Sequence, residues 1–70
     1  MKLGDNIQKL RKDLKLSQEQ LAEKIDVTRQ TISKWELGET SPNPEQLKLL
    51  SKALNVSIDE LLNNDVKSVI

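Results

Sequence analysis

SQEQLAEKIDVTRQTISKWEL, residues 17–37, reads as two short helices joined by a tight turn. Ser17 followed by Gln18, Glu19 and Gln20 forms a capping box: a hydroxyl for the third helical N–H, and a side-chain amide reaching back to the cap. Leu21, Ala22 and Ile25 then recur at helical spacing and give one apolar face. The helix is predicted to stop near Asp26, because Val27 and Thr28 begin a new element. Thr28 suits an N-cap, and Val27 before it is placed to staple onto Ile32. In this second helix, about residues 28–37, Ile32 and Trp35 face inward while Arg29, Gln30, Ser33 and Lys34 face out. Gly38 follows as the left-handed residue that a helix end needs.

The outward residues are of the types that hydrogen-bond base edges and phosphates in a major groove. Arg29 and Gln30 open the helix, at the end that enters a groove when such a motif docks. Arg suits guanine O6 and N7, and Gln suits adenine N6 and N7. Thr31 offers a methyl to thymine or a hydroxyl to phosphate. One turn on, Lys34 can reach a base or a phosphate. Ser33 is as well explained by an ordinary exposed helix position. Trp35 is the single aromatic residue, and its phase with Ile32 assigns it to the core, not to base stacking.

Working outward, Leu3, Ile7, Leu10 and Leu14 form one stripe of an amphipathic helix predicted over residues 2–14. Arg11 lies beside this stripe, within reach of Glu36, although a solvated Arg is the bland alternative. Leu16 precedes the Ser17 cap in a staple position. Beyond Gly38, residues 39–44 (ETSPNP) form a loop, since each Pro biases its predecessor away from helix. Asn43 caps a fourth helix with Pro44 in its first position. Leu47, Leu50, Ala53 and Leu54 form its inner face, and Asn55 closes it. Val56 and Ser57-Ile58-Asp59-Glu60 repeat the staple and capping box ahead of a short fifth helix with Ile58, Leu61 and Leu62. Asn63, Asn64 and Asp65 break it. The expected core is Leu3, Ile7, Leu10, Leu14, Leu21, Ile25, Val27, Ile32, Trp35, Leu47, Leu50, Leu54, Val56, Ile58 and Leu61. Strand signals are nearly absent.

The combination of S-Q-E-Q-L-A, V-T-R-Q-T-I-S-K-W-E and the ending N-V-S-I-D-E-L-L resembles the phage repressor and Cro-like helix-turn-helix family, the xenobiotic-response-element type. The match runs from about Ile7 to Leu62. The resemblance implies an all-α, compact five-helix bundle that binds operator DNA, commonly as a homodimer on a near-palindrome. It also implies the Arg11–Glu36 pair as a brace between the first and third helices. In this family the residue matching Gln18 touches the DNA backbone or supports the recognition helix; otherwise Gln18 only completes its cap. Thr40 and Ser41, in the loop after the second motif helix, can contact phosphate through hydroxyls and backbone N–H groups, and Thr28 joins the DNA-binding set. Asp26 stands where the family usually has Gly, a departure that Asp tolerates better than most residues.

Seventy residues allow one small domain, which at this size buries only about 60% of its unfolded surface. The domain is assigned to residues 1–64, with the motif at 17–37. Residues 65–70, ending VKSVI, read as the start of a further segment or as a contact for a second subunit. There is no Cys and no His, which removes thiolate metal sites, the commonest metal ligand and the commonest general base. No cofactor and no catalysis are expected, since the acidic residues are spread over different helical faces instead of paired. With no apolar run of membrane-spanning length and no signal peptide visible, a cytoplasmic location without membrane contact is the default.

Net charge is zero, a weak argument against a nucleic-acid partner. Its distribution is uneven: residues 1–16 carry Lys2, Lys9, Arg11, Lys12 and Lys15 against Asp5 and Asp13. No Lys or Arg lies between Lys34 and Lys48, so backbone affinity on that side is weak. The competing expectation is a protein-interaction module on the same scaffold, such as an antitoxin or bridging factor.

Overall fold

In the computed structural model, residues 2–63 are described. Five helices follow in order: α1 (Lys2–Asp13), α2 (Gln18–Lys24), α3 (Arg29–Leu37), α4 (Pro44–Leu54) and α5 (Ile58–Asn63). Among the described residues no strand forms. Helices α1 and α2 both pack on α3, α1 also packs on α5, and α5 on α4. The apolar stripes converge on Ile7, Leu21, Ala22, Ile25, Ile32, Trp35, Leu50, Leu54 and Leu61, all buried. Each buried Leu or Ile contributes about 1.5–3 kcal/mol of transfer free energy.

The expected core is corrected at its rim. Leu14 is 46% exposed, because α1 stops at Asp13 and the chain turns before Leu14 can face inward. Leu3, Leu10, Val27, Leu47 and Val56 are only partly buried against the core, and Ile58 is half-buried. Leu62 is 41% exposed. Residues 65–70 lie outside the described residues.

One device ends each of the first four helices. A residue one or two positions past the helix takes a left-handed conformation, and the next N–H reaches back to a carbonyl five residues earlier. These closures are Leu16 N to Arg11 O (3.0 Å), Val27 N to Ala22 O (3.0 Å), Glu39 N to Lys34 O (2.9 Å) and Val56 N to Ser51 O (3.0 Å). The left-handed residues are Lys15 (φ 60°), Asp26 (φ 60°), Gly38 (φ 78°) and Asn55 (φ 62°). The expected turn at Asp26 therefore survives without glycine. Lys15 carries no sequence signal for this conformation; its place follows from where α1 must bend.

Gly4 explains how closely α1 lies on α3. A Cβ there would sit 2.5 Å from the Trp35 carbonyl oxygen and 2.6 Å from that of Glu36. Both atoms are backbone at the end of α3, so neither can yield. On the other side of α1, Asn6 Nδ2 donates to Leu61 O at 2.9 Å, tying α1 to α5.

Candidate nucleic-acid interface

Helix α3 is fixed at both ends. At its start Thr28 is the N-cap, with Oγ1 accepting from Thr31 N at 3.2 Å. At its end lies a buried polar network. Arg11 Nε donates to Glu36 Oε2 at 2.7 Å and Arg11 Nη2 to Glu36 Oε1 at 3.2 Å, a two-pronged pair. Arg11 Nη1 donates to the Leu16 carbonyl at 2.8 Å, and Gln18 Nε2 to Glu36 Oε1 at 3.0 Å. The side chains of Arg11 and Glu36 are 9% and 3% exposed. Among the described residues no buried side-chain polar atom lacks a partner. The expected Arg11–Glu36 brace is present, and it joins four pieces: α1, the turn after it, α2 and α3. Burying two charges gains little net stability, but it demands one geometry. That geometry sets the angle between α2 and α3.

The remaining side chains of α3 divide by phase. Ile32, Trp35 and Glu36 are buried. Arg29, Gln30 and Lys34 are exposed, and Thr31 and Ser33 are half-buried. Thr28, Thr40 and Ser41 are exposed. Gln18 is half-buried at the first position of α2, and its hydrogen bond to Glu36 makes it a support for α3. Pro42, in the loop after α3 that carries Thr40 and Ser41, is buried. Arg11, counted above in the N-terminal excess of positive charge, is neutralised inside by Glu36. Lys9, Lys12 and Lys15 stay exposed, with Lys9 only 3.9 Å from Asp13, a surface pair of little energetic consequence.

Sequence reasoning missed Gly4, Asn6 and Pro42. Gly4 had a readable signal, a glycine inside a helix beside the Leu3–Ile7 stripe, which marks a close approach. Asn6 had none, since its partner is a backbone carbonyl fifty-five residues away.

A helix-turn-helix family model matches residues 7–61. The chain belongs to this helix-turn-helix family. It is 49% identical over 65 residues to the transcriptional activator BcrR of Enterococcus faecalis, a match covering 93% of this chain and 32% of the relative. It is 45% identical over 64 residues to repressor protein C2 of Salmonella phage P22, covering 91% of this chain and 30% of that protein. The chain thus spans about a third of the length of these two relatives. The fold superposes on the P22 c2 repressor solved in complex with a synthetic operator, with a TM-score of 0.88 at 45% identity, covering 93% of this chain and 98% of that one. A more distant relative is multiprotein-bridging factor 1 of the yeast Debaryomyces hansenii, 38% identical over 58 residues, covering 83% of this chain and 39% of that protein. Of these relatives, BcrR is a transcriptional activator and C2 a repressor.

Proposed function

We propose that this domain binds double-stranded DNA sequence-specifically, as the DNA-binding part of a bacterial or phage transcriptional regulator. The observation that carries this reading is a helix held rigidly at both ends with Arg29, Gln30 and Lys34 all exposed on it. Helix α3 enters the major groove. Arg29 and Gln30 contact base edges, and Lys34 contacts a base or a phosphate one turn on. Thr28, Thr40 and Ser41 position the domain on the backbone with hydroxyls and N–H groups. Gln18 acts through Glu36, keeping α3 at its docking angle. Two copies occupy half-sites about 34 Å apart on a near-palindrome, in the cytoplasm. The zero net charge predicts modest non-specific affinity, so base contacts carry more of the binding than in a strongly basic repressor.

The test is selection from random duplex DNA at two salt concentrations. Enrichment of a palindrome, with affinity falling steeply as salt rises, is the expected result. Recovery of no sequence, even from a forced-dimer fusion, would refute the reading. A second reading, a protein-interaction module, draws on the similarity to multiprotein-bridging factor 1 and on the neutral charge. Failure of the selection would leave it as the better account.

A further inference from the structure

Thr31 sits in the first turn of α3 beside the exposed Arg29 and Gln30, and its side chain carries two different recognition groups. A hydroxyl suits phosphate, whereas a methyl suits only thymine, the one base that presents a methyl group in the major groove. In the structure the hydroxyl is engaged. Thr31 Oγ1 lies 3.0 Å from Thr28 Oγ1, within hydrogen-bond distance, and Thr28 Oγ1 also accepts the Thr31 N–H at 3.2 Å. Oγ1 is thus turned back toward the cap. A β-branched side chain has few χ1 choices in a helix, so holding Oγ1 beside Thr28 fixes the methyl on another branch. Thr31 is half-buried.

We infer that Thr31 is a specificity residue that reads a thymine through its methyl group, with its hydroxyl serving the cap of α3. This rests on the DNA-binding reading above. The Thr28–Thr31 pair acts as one unit: it closes the helix start and at the same time offers a small apolar group in the first turn of α3, on the flank next to Gln30.

The experiment replaces each thymine of the selected half-site by deoxyuridine, which removes only the C5 methyl, and measures affinity by fluorescence anisotropy. The wild-type domain, Thr31→Val and Thr31→Ser are compared, each checked for folding by circular dichroism. At one position per half-site, loss of the methyl should weaken wild-type binding about fourfold, the effect of exposing one buried methyl-sized group. Val keeps a methyl on that branch or its equivalent, so Thr31→Val should retain the discrimination. Thr31→Ser keeps the hydroxyl and lacks the methyl, so it should bind thymine and uracil alike at that position. If no position loses its discrimination in Thr31→Ser, or if Thr31→Val loses affinity while Thr31→Ser binds like wild type, the hydroxyl is the contact and the inference falls. Those outcomes leave DNA binding itself intact; a wild-type domain that selects no duplex would overturn both.

Discussion

Arg11→Ala is the perturbation that most directly tests how α3 is held. It removes three donated hydrogen bonds, two to Glu36 and one to the Leu16 carbonyl, and leaves a carboxylate whose side chain is 3% exposed with only Gln18 beside it. Breaking a buried pair from one side costs about 3–5 kcal/mol. A chain of seventy residues holds a total of about 4–10 kcal/mol, so the loss is a large part of the whole. At about 4–8 °C per kcal/mol for a domain of this size, even the lower cost lowers Tm by about 12–24 °C. A surface pair would cost at most about 1 kcal/mol and move Tm by less than about 8 °C, so calorimetry or thermal circular dichroism separates the two. The double substitution Arg11→Met with Glu36→Leu provides the control. Replacing both charges by apolar groups of similar size is close to neutral, and half-buried Gln18 can turn to water. Most of the lost Tm should therefore return. A small drop for Arg11→Ala, or a double variant no better than the single one, would refute the account of a buried, geometry-setting pair.

Three further expectations follow from other parts of the structure. Gln30→Ala should lose about 1–3 kcal/mol of preference at one base position while non-specific binding stays nearly intact; equal loss on every sequence in a competition assay would contradict a reading role. Gly4→Ala should destabilise by about 1–2 kcal/mol despite alanine's better helix propensity, because its Cβ meets two backbone carbonyls of α3 and overpacking costs about 1–3 kcal/mol; a raised denaturation midpoint would show that α1 can shift. Lys15→Gly should stabilise by roughly 0.5–1 kcal/mol, since the left-handed conformation costs most L-residues about 1–2 kcal/mol and glycine returns part of that as unfolded-state entropy. Asp26→Gly should gain less, because Asp tolerates that region better; the reverse order in urea unfolding would refute this ranking.

The sequence by itself determined the helices, their caps and the face that points outward. Ser17, Thr28, Asn43 and Ser57 all cap the helices they precede, and Gly38 and Asn55 end theirs. These signals are local: a cap or a stripe is set by residues three or four apart, which is the range over which side chain and backbone compete. The Ile32–Trp35 phase placed the tryptophan in the core for the same reason. What only the tertiary structure decided involves partners far apart in the chain. The close contact at Gly4 and the bond from Asn6 to Leu61 depend on where α1 lies against α3 and α5, and the exposure of Leu14 on where α1 stops before the left-handed Lys15. Arg11 was legible as within reach of Glu36, but its burial, its third bond to Leu16 and the part played by Gln18 were not. A buried charge is tolerated only where several donors meet around it, and residues eleven, sixteen, eighteen and thirty-six of the chain meet only after folding.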